Sequence, residues 1–508
     1  MRRSRKRPLK LSSSQVNGEH VTVFADVLPN LESVKIVAAA IPESRSRTAP
    51  IFVGDSGYGA ILDAAGEVNE GHFHIPAAAE QALTAEDLQY LRIKGCFSLP
   101  TESEELLKAY FQFVHPTFPV IDGPAFLQEY AAYGLQGINL LLLWSMFSVS
   151  ANYISLQSKR ALKENCVYRA KLLFDLSEEK DKLVLVQSAL LLSFWFADTE
   201  DVKQSWYWTS IAFGIAQTLG LHREVNISQI QASTTQRDLW CNVWWCCVIR
   251  DVWLAFGMGR PLRLSASDCD IPLPRNPDNQ FVNMILHDNL LHSLEEAASF
   301  GIMWENLITA SSVLREILTR NTPSLTMVKS LESQIGAHVG DCSTFLLKHV
   351  HGHLQLHQNA ALIALARSKG NKEILRTAAD STTAILGAFL AEQTTAYVAP
   401  IAVPLVVPAM VTYLRTLKSH KSKAMQLPND QLEIYSQFLT AIENNYPAAS
   451  IVKGLLHVAR DSIIGKGDNQ RVRRDQLISE TFNQSASSWD SKWPYGTGQL
   501  SWFLEANA

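Results

Sequence analysis

Residues 250–274 read RDVWLAFGMGRPLRLSASDCDIPLP, and this stretch decides the fold because it shows where the most apolar helix of the chain must end. Gly257 and Gly259 read as helix-stop residues. Pro261, which has no backbone N–H to donate, forbids continuation. Upstream, residues 236–256 are apolar almost all round, as are 183–197 and 205–221, which is the composition of central helices rather than surface ones. Inside the first of these runs Arg250 and Asp251 are adjacent ions, costly to bury unless each finds a partner. Farther out, helical periodicity covers 138–156 and 160–176 before the segment. After it, helical periodicity covers 285–320, 325–365, 370–390, 396–416, 430–446 and 448–465. No alternating strand pattern of useful length separates these runs, so the expected fold is all-α, a large multi-helix domain.

The flanks have a different character. Residues 1–79 are rich in Ser, Arg, Gly and Pro, open on MRRSRKRPLK and carry no sustained period, so a basic, largely disordered N-terminal segment is expected. Its patch Ile51-Phe52-Val53 is apolar enough to dock on the main body. Order is expected from about Leu83, because Thr84 to Asp87 and Thr101 to Glu104 both fit the capping pattern of a helix start. The helical domain then occupies 80–465, and 466–508 reads as a polar C-terminal tail in which Trp489, Trp493, Trp502 and Phe503 are able to pack back.

Bulk composition narrows the function classes. The 508 residues are 47% hydrophobic and 19% charged, the profile of a well-buried globular protein. A net charge of −4 provides no global attraction to nucleic acid or anionic lipid, so any such contact must be local. Seven cysteines, odd in number and unevenly spaced, do not describe a disulfide scaffold and favour a reducing compartment. The basic N-terminus has no apolar run behind it and is not a secretory signal. Ile138–Leu156 and Ala396–Leu414 approach the length of a membrane span, but their Ser, Asn and Pro content favours buried helices, and no membrane partner is expected.

Three blocks, in order, carry a family resemblance. The first is YFQFVHPTFPVID at 110–122, where Pro116 and Pro119 force an extended exit that frees His115, Phe118 and Ile121 to plug the core, with Asp122 at its end. The second is SWYWTSIAFGIAQTLGLHRE at 205–224, where Gly220 fits a helix C-cap, with His222 and Arg223 complementing the dipole. The third, 237–274, holds Trp244, Trp245, Arg250, Asp251, Gly259, Arg260, Pro261 and the Asp268-Cys269-Asp270 loop. Together they resemble the fungal-specific transcription factor domain, the middle regulatory region of fungal binuclear zinc-cluster factors, and most of all its cutinase-regulator-like subgroup. The match is strongest over 83–290.

That resemblance implies a nuclear regulator of transcription by RNA polymerase II. It also implies transcriptional coregulators as partners, DNA contacted directly or through a partner factor, and room for a small-molecule effector. Family members usually begin with a six-cysteine zinc cluster that reads DNA. Here the first cysteine is Cys96, already inside the helical domain, so zinc is expected only with a cluster outside these residues and no cofactor is assigned to them. A cofactor or antagonist of full-length factors, without DNA binding of its own, is the alternative. Within that context Arg2, Arg3, Arg5, Lys6 and Arg7 read as a nuclear-import signal or a contact to the DNA backbone.

Other clusters point to chemistry less well. Cys241, Cys246 and Cys247 do not converge on one helix face and read as buried thiols. His349, His351, His353 and His357 include i, i+4 pairs but lack the Glu of a zinc-protease motif, and read as core-edge histidines. Asp198 and Asp201 are too sparse for a diphosphate-binding metal site and read as a helix-terminating loop. Arg250, Asp251 and Arg260 are open to two readings: anchors of a ligand or coregulator site, or an internal ion pair fixing the Gly-Arg-Pro turn, of which the second is preferred. No catalytic or metal residue is assigned, because no nucleophile elbow, phosphate loop, dinucleotide fingerprint or metal triad occurs. The rival from another class is an all-α enzyme with an apolar cavity.

Overall fold

The computed structural model of the chain describes residues 48–52, 72–76, 83–154, 159–176, 181–194, 202–224, 234–264, 269–274, 279–287, 289–320, 322–334, 344–419 and 426–464. The architecture is all-α, as the periodicity requires. The first group of helices is α1 (Ala85–Ile93), α2 (Ser103–Ala109), α3 (Gly123–Tyr133), α4 (Leu140–Ser150), α5 (Lys159–Leu176), α6 (Lys182–Leu192), α7 (Val202–Thr218) and α8 (Thr234–Met258). The second is α9 (Leu294–Leu318), α10 (Leu325–Gln334), α11 (Phe345–Lys369), α12 (Lys372–Ala391), α13 (Ala402–Ser419), α14 (Gln426–Ile442) and α15 (Pro447–Ile464). Helix α8 joins the two groups, packing on α6 and α7 on one side and on α9 and α13 on the other. One hydrophobic cluster runs from Leu91 to Leu456 through both groups.

Taken alone, Thr235–Met258 is the one described helix long and apolar enough to cross a membrane, and 83% of that window is buried inside the fold. Its lack of a polar face thus follows from neighbours on all sides.

Local signals explain most boundaries. Thr84 and Asp87 form the reciprocal capping box expected at the start of α1, with Asp87 N donating to Thr84 Oγ1 at 3.1 Å and Thr84 N to Asp87 Oδ2 at 3.2 Å. The second expected cap does not form. Helix α2 starts at Ser103 with Glu102 in the cap position and no side-chain cap bond. The 138–156 run contracts to α4, because Asn139 caps it through Leu142 N at 3.1 Å. The 285–320 run begins only at α9, where Ser293 and Glu296 make a capping box, and is preceded by a tight antiparallel pair, β3 (Ile285–Leu286) with β4 (Asn289–Leu290). The 325–365 run splits into α10 and α11, whose start Thr344 caps through Leu347 N.

Two short strands also fall inside the segment expected to lack order: β1 (Thr48–Phe52) pairs antiparallel with β2 (His72–Pro76). The docking expected of this patch is met at Phe52, whose ring meets His222 edge-on at 4.9 Å. The tail aromatics Trp489, Trp493, Trp502 and Phe503 lie outside the described residues.

Candidate functional site

The exit of α8 is an internally satisfied polar anchor. Gly259 ends the helix with φ +62°, in the left-handed region, and Arg260 N closes the last turn onto Ala255 O at 3.0 Å. Gly257 is a different case. It lies inside the helix, and a Cβ there would stand 2.9 Å from Pro404 Cβ, so its role is to let α8 and α13 approach rather than to stop the helix.

The Arg250–Asp251 reading needs a similar correction. Both side chains are buried, but the ion pair found is Asp251 with Arg263. Arg263 donates its backbone N–H to Asp251 Oδ2 at 2.9 Å and its guanidinium to Oδ1. The same guanidinium reaches Ser210 Oγ at 2.9 Å and Trp206 O at 2.8 Å, and lies 3.6 Å from the Trp206 ring centroid. Arg260 lies over that ring as well, at 5.0 Å. The turn bearing Pro261 is therefore pinned at both ends to α8 and laterally to α7. Burial raises the Asp251 carboxyl above its ordinary value against the pull of Arg263, and burial lowers Arg263 against the pull of Asp251. Desolvation outweighs attraction on both partners, the usual balance for an ion pair taken out of water.

Arg250 is held elsewhere. Its Nε donates to Ser193 Oγ at 2.8 Å, its terminal nitrogen donates to the Ser193 carbonyl, and its guanidinium carbon is 4.2 Å from the Phe194 ring centroid.

Beyond the turn the chain folds back along α8. Trp244 Nε1 donates to Cys269 Sγ at 3.0 Å and Trp245 Nε1 to Pro272 O at 3.0 Å. Asp270 accepts from Glu224 N at 2.6 Å and pairs with Arg223 at 3.4 Å, so Arg223 serves this loop rather than the end of α7. His222 packs on Trp244 instead of facing that helix end, with ring centroids 5.7 Å apart. Gly220, at φ +75°, makes the turn after α7. Asp268, Asp198, Asp201 and the basic residues Arg2, Arg3, Arg5, Lys6 and Arg7 lie outside the described residues.

The first block also plugs the core. Residues Tyr110–Val114 form a π-helical turn, after which His115, Phe118 and Ile121 are buried. His115 Nε2 lies 3.2 Å from Gln280 O, and burial lowers the imidazole to about 4. The extended stretch past Pro119 exposes Val120 O to Gln187 Nε2 at 2.7 Å. Asp122 caps α3 through Ala125 N at 3.0 Å.

Beside this anchor lie small pockets among the described residues. One cavity of about 60 Å³ has Phe113, Tyr153, Trp253, Arg250 and His357 in its wall, and a second of about 20 Å³ is lined by Pro116, Trp304 and His353. Both share Thr117, Leu307 and His357. An open cleft of about 240 Å³ lies farther along α11, against His349 and His351.

His349, His353 and His357 are buried rather than at the core edge. Burial lowers His349 and His357 to about 4 and His353 well below its ordinary value, so all three are neutral near pH 7. Their tautomers follow from their partners. His349 Nε2 faces Tyr397 O at 2.8 Å and His357 Nδ1 faces His353 O at 2.8 Å, so each of those nitrogens carries a proton. His353 Nε2 accepts from Ala399 N at 3.3 Å, which places the proton on His353 Nδ1. That N–H has no partner among the described residues, and neither does His349 Nδ1.

Nucleophilic arrangements fare poorly. Cys246 and Cys247 are buried and their thiols pushed up by that burial, as expected of core cysteines, while Cys241 is half-buried with Sγ 3.5 Å from Pro272 O. Ser436 Oγ and His457 Nε2 are 3.1 Å apart, but Arg460, which can only donate, occupies His457 Nδ1 at 3.1 Å. The proton is then on Nε2, and this histidine is in the wrong tautomer to take one from Ser436.

Comparison with known proteins agrees with the blocks at 110–122, 205–224 and 237–274. Cutinase transcription factor 1 beta of Fusarium vanettenii is 34% identical over 220 residues, 41% of this chain and 24% of that protein. The acetamidase regulatory protein of Emericella nidulans is 34% identical over 177 residues, 34% of this chain and 22% of that protein. The chain thus spans about a quarter of the length of these relatives. Among solved structures, the K. lactis CBF3 core contains a chain similar at TM-score 0.46 and 14% identity, over 79% of this chain and 97% of that one. Residues 107–339 match the family described as the fungal specific transcription factor domain.

Proposed function

We propose that the protein is a regulator of transcription by RNA polymerase II that works in the nucleus through its helical domain, with transcriptional coregulators as partners and without enzymatic activity. The observation that carries this reading is the family match over 107–339, supported by relatives that are themselves transcription factors. The geometry supports it indirectly. Arg263, Asp251 and Arg250 spend their hydrogen bonds inside the fold, as a scaffold would, and the Ser436–His457 pair is in the wrong tautomer for base catalysis. In this reading Arg2, Arg3, Arg5, Lys6 and Arg7 serve nuclear import or contact the DNA backbone.

The test is to tether the whole chain to an unrelated DNA-binding module upstream of a reporter gene. A several-fold rise or fall in output relative to the module alone is expected; output equal to the module alone contradicts the proposal. Chromatin association of the untethered chain, with and without alanine at the five basic residues, then reports whether it reaches DNA.

A further inference from the structure

One end of the second helical group gathers cations at the α11–α12 turn and the close of α13. Gly370, at φ +69°, lets the chain reverse after Lys369, and Asn371 caps α12 through Ile374 N at 3.2 Å, so Lys369 and Lys372 flank the turn. Helix α13 packs on both α11 and α12. Two contacts fix its register: Arg367 donates to Pro408 O at 2.7 Å, and the Tyr413 hydroxyl donates to Asp380 Oδ1 at 2.6 Å. Arg415 is carried to the same end; burial, and then the charge of Arg415, lower the Arg367 guanidinium. Lys418 follows one turn later on α13. Lys369, Lys372, Arg415 and Lys418 are all exposed. Among the described residues none of the four pairs with a carboxylate or spends a side-chain hydrogen bond.

Little in this region offsets them. The carboxylates of the same stretch are Glu373 and Asp380, and Arg376 engages the second at 3.7 Å. On the adjoining α14 and α15, Glu433 and Asp461 are held by Arg460, which leaves Asp430 as the unpaired carboxylate of α14 among the described residues. The six residues that join α13 to α14, 420–425, read HKSKAM and add no carboxylate. No large hydrophobic side chain is exposed between Ser368 and Arg376 or between Arg415 and Ser419. A membrane-binding face needs an apolar side to insert, and single-stranded nucleic acid needs aromatic platforms for its bases. Unpaired Lys and Arg without such neighbours suit the phosphates of a duplex, which are bound by charge and irrespective of sequence.

We propose that Lys369, Lys372, Arg415 and Lys418 contact the phosphate backbone of duplex DNA without reading its sequence. The choice of DNA as the polyanion rests on the transcriptional reading, and the surface is separate from the basic N-terminal residues.

The test is fluorescence anisotropy of a labelled random-sequence duplex against the full chain, from about 50 to 200 mM salt. One variant carries Lys369→Gln, Lys372→Gln, Arg415→Gln and Lys418→Gln. A control variant carries Lys108→Gln, Lys182→Gln, Lys329→Gln and Lys348→Gln, which removes equal charge from exposed positions elsewhere. Each phosphate contact adds about 0.9 to the slope of log Kd against log salt. The first variant should therefore lower that slope by about 3 to 4 and weaken binding at the lowest salt at least about tenfold. The control should change the slope by less than about 1. If the first variant fails to fold, Lys369→Gln with Lys372→Gln, and Arg415→Gln with Lys418→Gln, should each lower the slope by about 2. No saturable binding of the duplex, an undiminished slope in the first variant or an equal fall in the control would overturn the proposal. So would binding of polyglutamate or of phosphatidylserine vesicles as tight as that of the duplex. The tethered reporter brings its own DNA-binding module, so it tests the transcriptional reading without this surface.

Discussion

Helices α8 and α11 both cross the core carrying polar side chains, and they accommodate them in opposite ways. On α8, Arg250 and Asp251 are buried with polar partners on neighbouring segments, Ser193 for the first and Arg263 for the second. On α11, His349, His353 and His357 give up their charge, and two of their nitrogens are left without partners among the described residues. The first arrangement fixes geometry: it ties the chain past the Gly-Arg-Pro turn to α7 and α8. The second leaves hydrogen-bonding capacity unspent beside a cavity.

The largest expected effect comes from acid, and it belongs to α11. His349 and His357 titrate near 4 in the fold against an ordinary value of 6.5. Between those values the unfolded chain binds more protons, so stability is full above about pH 6.5 and falls as pH drops toward 4. Each of the two contributes on the order of 3 kcal/mol to that loss. Urea unfolding across the window should show the slope, and His357→Gln should remove about one proton from it. An unchanged slope in the variant would mean that His357 is not held neutral by burial.

Next in size is Asp251→Ala, which strands the Arg263 guanidinium and should cost about 3–5 kcal/mol in the denaturant midpoint. An unaltered midpoint would remove the anchor from the comparison. Gly257→Ala tests the close contact with Pro404. The clash should cost about 1–3 kcal/mol, against which better helix propensity returns about 1. Gly387→Ala, where a Cβ meets open space, should instead stabilise by about 1 kcal/mol. Matching signs in these two variants would contradict the packing described for α8 and α13.

The smallest effect is expected at His349→Phe. The ring stays among Phe345, Phe389 and Tyr397, one hydrogen bond is lost and one unsatisfied nitrogen is removed, so the net change should be within about 1 kcal/mol. A loss as large as that of Asp251→Ala would erase the distinction between the two helices.

The central helices were legible in the sequence because burial on all sides leaves a composition free of polar faces, and α7 and α8 end within a few residues of where that composition changes. The Thr84 capping box was legible because it is local. The partner of Asp251 was not: Arg263 is twelve residues on, and only the turn through Gly259 brings it back. Gly257 read as a stop because nothing in the sequence says which helix lies opposite. The α11 histidines read as edge residues because imidazole is polar on average, whereas their neutral forms are built into the interior by carbonyls and an amide of the 397–399 segment and of α11 itself.

The most direct measurement is a pair of double-mutant cycles in the full chain, Asp251 with Arg263 and Asp251 with Arg250, each residue replaced by alanine and stability read by urea unfolding. The structure predicts coupling between Asp251 and Arg263 that exceeds the coupling between Asp251 and Arg250 by at least about 1 kcal/mol. Equal coupling, or a stronger link between the sequence neighbours Arg250 and Asp251, would contradict the anchor at the end of α8.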